Sequence, residues 1–392
     1  MRACVGPNQP RSYSRDSAKL APPRSKPGCS AMQSKRICLN MIVKNEAHVI
    51  RRCLDSVRPH IAHWVIVDTG STDGTQAIVR DHFRDVPGEL HERPWRDFGH
   101  NRTEALELAR GKADYILVMD ADNVFHVPQG FAFPGLAADG YMISHRYAGV
   151  AYGLPLLLAD RIRWRYEGVL HEYVTSDAPH RFETLDGPWV EQRHEGARSR
   201  DPETYRKDAA ILEAALAMDP GNPRYAFYLA QSLRDAGDAL RAREAYRRRA
   251  TMGGWEEERW YALFQAAVLD ERLGEPPVTV QHAYLSAFAA LPSRAEPLVE
   301  LARFHRLRQE WGLAHLFARH AAAMPRPGSG LFVDDACYAW RALDELAIAA
   351  WYVGARDEGR QAAQRLLSAC RFPNTERARM EANLATYDPP RG

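Results

Sequence analysis

The chain has 392 residues, enough for two domains, and a formal net charge of +2 at neutral pH. So even a balance excludes a general electrostatic pull toward nucleic acid or a membrane surface. No apolar run is long enough to span a bilayer. The six cysteines (Cys4, Cys29, Cys38, Cys53, Cys337, Cys370) form no C-x-x-C pair, which excludes a zinc pattern and a disulfide framework and predicts a reducing, cytoplasmic location.

Residues 1–35 carry Arg2, Arg11, Arg15, Lys19, Arg24, Lys26 and Lys35 against one acid, Asp16, with five prolines and little apolar content. That composition predicts a disordered basic tail. Residues 37–43 read as a first strand, and Asn45 as the cap of a helix that runs to about Val57 and stops at Pro59. A second strand over 63–68 ends in Asp68 and passes through a Gly-, Ser- and Thr-rich turn into a helix over 73–83, which Asp73 would open. A short strand over 89–93, a helix over 98–110 closed by Gly111, and an apolar strand over 115–119 follow. Strands alternating with helices predict a mostly parallel α/β sheet. After Asp122 the pattern changes to short strands over 140–145, 153–159, 162–166 and 189–193, as in a mixed sheet.

Beyond Pro202 the helical period takes over. In 219–250, Leu229, Ala230, Gly237, Ala242 and Tyr246 stand at the spacings of a tetratricopeptide unit, whose period is about 34 residues. Helices over 255–273, 278–291, 296–307, 311–324, 335–352 and 356–368 continue with less regular spacing. That is the pattern of a short helical array with degenerate terminal repeats.

The chemistry sits at strand ends, where open α/β sheets bind ligands. Asp68 ends the second strand. Asp120 and Asp122 follow the fourth, separated by one small residue. Carboxylates so close repel unless a cation bridges them or one is protonated, and oxygen ligands suit Mg²⁺ or Mn²⁺ beside a diphosphate. These residues, together with Met41-Ile42-Val43-Lys44-Asn45-Glu46 and Val67-Asp68-Thr69-Gly70-Ser71-Thr72-Asp73-Gly74-Thr75, resemble glycosyltransferase family 2, the GT-A fold of nucleotide-sugar enzymes. The resemblance covers roughly 36–198. A GT-A domain followed by repeats over 199–392 resembles the branch that includes the sublancin-type peptide glycosyltransferases.

The resemblance implies a hexosyl transfer from a nucleotide sugar, UDP-linked, with inversion, to an acceptor peptide, glycan or small molecule. It places Asn45, Glu46, Asp68, Asp73, Arg102 and Asp120 at the donor. Asp120, Asp122 and a late histidine, His194, would hold Mn²⁺ or Mg²⁺. The family often has an acid where Asn123 stands, and an Arg–Asn pair where this chain has Asn101-Arg102. Gly168-Val169-Leu170-His171-Glu172 resembles the His-Glu element of the branch. Glu172 is then the candidate base, with His171 orienting it or acting in its place, and Asp97 as a further candidate. The helical half would recognise a protein partner or a second copy. Two other classes stay open: a nucleotidyltransferase on a similar sheet, and a noncatalytic repeat scaffold with a vestigial transferase half.

Overall fold

The computed structural model describes residues 35–147, 150–328 and 330–387; the expected basic tail falls almost wholly outside them. The chain divides into two compact units, with the division between Thr204 and Tyr205. Among the described residues no helix is long and apolar enough to cross a membrane.

The first unit is built on an eight-stranded mixed sheet. Its strands are β1 (Ile37–Val43), β2 (His63–Asp68), β3 (Gly88–Glu92), β4 (Tyr115–Val118), β5 (Val124–His126), β6 (Gly140–Tyr147) and β7 (Val150–Ala159). After the separate hairpin strands β8 (Arg165–Glu167) and β9 (Tyr173–Thr175) comes β10 (Phe182–Glu191). The sheet order is β3-β2-β1-β4-β7-β6-β10-β5. β3, β2, β1 and β4 run parallel, so Val43, Asp68 and Val118 all end at one edge, while β7 turns the sheet antiparallel next to β4.

Both faces of β1, β2 and β4 are covered, which is why they read as largely apolar runs. Leu39, Met41, Ile66 and Leu117 pack with Cys53, Leu54 and Val57 of helix α1 (Ile50–Val57). Cys38, Val65, Ile116 and Val118 pack on the opposite face with Leu106 and Ala109 of helix α3 (Phe98–Ala109). Between them in sequence lies α2 (Thr75–His82). Two expectations are corrected here. Asn45 does not cap α1: it sits at φ 57° in a turn, and the helix begins at Ile50 after Val49. Asp73 lies one residue before the cap of α2, which is Gly74 at φ 91°. Strands β5 and β9 are three residues each, too short to show a period of two.

Past the short helix α4 (Ala197–Arg200) the chain is helical: α5 (Thr204–Met218), α6 (Pro223–Asp235), α7 (Ala239–Thr251), α8 (Glu256–Arg272), α9 (Pro277–Ala290), α10 (Glu296–Leu307), α11 (Trp311–Ala323), α12 (Ala342–Tyr352), α13 (Arg356–Ala369) and α14 (Arg377–Tyr387). Asn222 and Asp238 cap α6 and α7 through side-chain oxygens. Gly237 supplies the left-handed turn between them at φ 84°, and Ala230, Ala242 and Tyr246 are fully buried. The repeat spacing read in the sequence is therefore a packed helical hairpin. A buried ion pair joins its irregular later part: Arg294 grips Glu296 at 2.7 Å and donates to Leu331 O and Phe332 O.

Candidate active site

The candidate site lies in the first unit, at the carboxyl edge of β1, β2 and β4. Asp68 is buried at the end of β2. Its Oδ1 accepts from the N–H groups of Gly70 and Ser71, each at 2.9 Å, and from Gln76 Nε2 at 3.1 Å. Its Oδ2 is buried with no hydrogen-bond partner. An unpartnered carboxylate oxygen costs free energy in a folded chain; at a strand end it is a ready acceptor for an N–H or O–H of a ligand.

Two loops are stitched together beside it. Asn45 N–H donates to Ser71 Oγ and Asn45 Oδ1 accepts from Thr72 N–H, both at 2.8 Å. Glu46 N–H donates to Thr75 Oγ1 at 2.9 Å. Asp73 uses Oδ1 for the Thr75 N–H and hydroxyl and Oδ2 for the Ala47 N–H. Burial works against the charge, but these donors hold the Asp73 carboxyl below its ordinary range. Asn45 and Asp73 thus shape the loop that surrounds Asp68.

Across the edge, Arg102 of α3 bridges two carboxylates. Its Nη2 donates to Asp120 Oδ1 at 2.7 Å and its Nε to Glu172 Oε1 at 2.6 Å. The guanidinium also lies 5.7 Å from the centre of the Tyr166 ring. Burial alone would weaken its charge, but Asp120 and Glu172 outweigh that and raise its pKa above the usual arginine value. Asp120 is half exposed at the side chain, yet enough protein surrounds it for burial to push its carboxyl up; Arg102 overcomes this and holds it below the ordinary range.

The backbone explains why Arg102 meets Glu172. Phe98 N–H donates to Val169 O, and the Thr103 hydroxyl accepts from Tyr166 N–H. A Cβ on Gly99 would run into the carbonyl oxygen of Gly168, so only glycine lets α3 lie against the 168–172 turn. Asp97 caps α3 by accepting from His100 N–H, and the buried Asn101 holds the preceding loop through Arg96 N–H and Pro94 O. His171 stands beside Glu172 in the left-handed region, at φ 53°.

Asp122 faces a third segment. Its Oδ2 accepts from the N–H groups of Glu195 and Gly196, both at 3.0 Å. The Glu46 carboxylate takes the next N–H, that of Ala197, at 3.2 and 3.3 Å. Burial pushes the Glu46 carboxyl up to about 7; the Ala197 N–H opposes this, and Asp122, Asp120 and Asp73 add to it. His194 sits at φ 52°, its ring edge-on to Tyr147 at 4.5 Å and its Nε2 buried without a partner.

One group that sequence reasoning missed is His145 on β6, 3% exposed, within electrostatic reach of both Asp120 and His194. Burial lowers its pKa to about 4, and Asp120 pulls the other way. Its Nδ1 lies 3.5 Å from the Tyr152 hydroxyl, which donates to Gln192 at 2.8 Å. Nothing in the alternation of β6 sets that histidine apart.

Among the described residues no three His, Cys, Asp or Glu side chains are grouped as a metal cage. Asp120 Oδ1 is occupied by Arg102 and Asp122 Oδ2 by two N–H groups, which leaves Asp120 Oδ2, Asp122 Oδ1 and His194 Nε2 as protein donors. So few ligands fit a cation that takes the rest of its shell from phosphate oxygens and water.

Comparison with known proteins places this edge in context. Residues 38–128 match the family described as Glycosyl transferase family 2. A TPR repeat-containing protein of Synechococcus elongatus is 27% identical over 75% of this chain and 76% of its own length. The SPbeta prophage-derived glycosyltransferase SunS of Bacillus subtilis is 32% identical over 25% of this chain, an alignment that spans 22% of SunS. Among solved structures, that of MamA aligns with 45% of this chain and 92% of its own at 17% identity and a TM-score of 0.35.

Proposed function

Residues 38–128 form a glycosyl transferase family 2 domain, and from that premise we propose that this chain is a glycosyltransferase that moves a hexosyl group from a UDP-sugar to an acceptor, with inversion and a divalent cation. The observation that carries the donor reading is the buried, unpartnered Asp68 Oδ2 at one end of a strand edge whose other end holds Arg102, Asp120 and Asp122. In this reading Asp68 Oδ2 accepts the N–H of the base. Arg102 turns its positive charge to the diphosphate, where charge develops on the leaving group. Asp120, Asp122 and His194 would hold Mn²⁺ or Mg²⁺, which would supply a Lewis acid for the departing phosphate. Glu172, with His171 beside it, receives the acceptor proton as attack begins. Arg102 occupies Glu172 Oε1 only, which leaves Oε2 for that proton. The helical unit selects the acceptor. A thermal-shift panel of nucleotide sugars with Mn²⁺ tests the reading. A donor at a hundred times its dissociation constant adds about 2.7 kcal/mol of stability. Stabilisation by UDP-sugars that Asp68→Ala removes supports it; no shift with any nucleotide sugar refutes it.

A further inference from the structure

Three successive backbone N–H groups, those of Glu195, Gly196 and Ala197, are received by carboxylates from two different strand ends: Asp122 after β4 and Glu46 after β1. The same segment is tied down at its margins. Glu195 pairs with Arg52 of α1 at 2.6 Å, its carbonyl lies 2.8 Å from His48 Nε2, and Arg198 lies 5.0 Å over the Phe98 ring. A Cβ on Gly196 would lie 3.2–3.3 Å from Asp122 Oδ2 and both oxygens of Glu46, so the strap runs close against the two carboxylates. Residues 193–198 therefore cross the carboxyl ends of β1 and β4, and they carry His194.

We propose that Glu46 is a positioning residue: with Asp122 it holds the strap 193–198 across the donor edge and so fixes the backbone that carries His194, whose neighbour Glu195 is bonded by Asp122. This rests on the donor reading above for its effect on turnover, but not for the strap itself. Glu46 then acts through the strap and does not touch the nucleotide. Asp122 takes the strap with Oδ2 and keeps Oδ1 for a cation, so the two roles do not compete.

Local opening of a segment sets its rate of cleavage when reclosing is fast. Losing a hydrogen bond to a charged group raises the open population by about tenfold or more. Glu46→Ala should speed tryptic cleavage after Arg193 and Arg198 by about tenfold in the full chain, read by mass spectrometry of the fragments, and should raise KM for the UDP-sugar while kcat holds. Glu46→Gln keeps an oxygen that accepts the Ala197 N–H and should restore both values. Ala197→Pro deletes that N–H at the first position of α4, where proline is tolerated, and should reproduce Glu46→Ala with both carboxylates intact. It also serves if Glu46→Ala does not fold. Wild-type cleavage in Glu46→Ala or Ala197→Pro overturns the proposal, as does a Glu46→Gln variant cut as fast as Glu46→Ala, or a fall in kcat with KM unchanged. Should no UDP-sugar bind at all, the donor reading fails while the cleavage rates still decide the strap.

Discussion

At the scale of single residues the site is a set of carboxylates that differ in what they are given to hold. Asp73 is consumed by the loop, Asp68 keeps one oxygen unsatisfied, and Asp120 and Glu172 share one arginine. Glu172→Gln keeps size and removes basicity. It should lower transfer by about 10²–10⁴-fold, the range of general-base catalysis, with UDP affinity by calorimetry unchanged. Collapse of that affinity would move Glu172 to the donor side. Asp122→Ala should abolish metal-stimulated transfer, and a variant that keeps wild-type activity in EDTA would remove Asp122 from the cation. His145 carries a pH dependence of stability. Its folded pKa lies near 4, below the ordinary 6.5, so between those values the unfolded chain binds the extra proton. Stability must then rise with pH across that window and fall on acidification through it, by at most about 1.4 kcal/mol for each pH unit crossed. Urea titrations at pH 4.5 and 6.5 should differ less in His145→Phe than in wild type; equal differences would mean that the imidazole titrates as freely in the fold as outside it.

At the scale of elements, the Arg102–Glu172 contact depends on how closely α3 lies against the 168–172 turn. Gly99→Ala places a methyl group against Gly168 O, and overpacking of this kind costs about 1–3 kcal/mol. It should also weaken transfer, because Arg102 and Glu172 would separate while Asp68 is untouched. Loss of stability with full transfer would show that the pair tolerates the displacement. In the helical unit the corresponding tie is the Arg294–Glu296 pair, both residues almost wholly buried and Glu296 further bonded by Tyr338 at 2.8 Å. Arg294→Ala leaves that carboxylate uncompensated and should destabilise the chain by about 3–5 kcal/mol in denaturant titration. A loss below about 1 kcal/mol would mean that Glu296 takes up a proton without penalty.

At the scale of the whole molecule two compact units are joined near Thr204, and the division of labour between them is a proposal. Residues 35–204 alone should still bind UDP and lose transfer to the natural acceptor. Full transfer by that fragment would remove the helices from acceptor choice. Much of the chain's order was legible in advance, because its signals are local. An unbroken apolar run ending in an aspartate marks a strand buried on both faces, as in β2 and β4. Small residues at Ala230 and Ala242 with Gly237 between them mark a helical hairpin. The sequence by itself therefore determined the strand–helix alternation, the change to repeats and the residue types at the carboxyl edge. What each of those residues holds was decided only by tertiary structure. Arg102 meets Glu172 across 70 residues, Asp122 meets Gly196 across 74 and Glu46 meets Ala197 across 151. No periodicity spans such separations. The partner of a charged group at a strand end is chosen by which loop the folded sheet brings within hydrogen-bond distance, and a carboxylate's proton affinity follows from that choice.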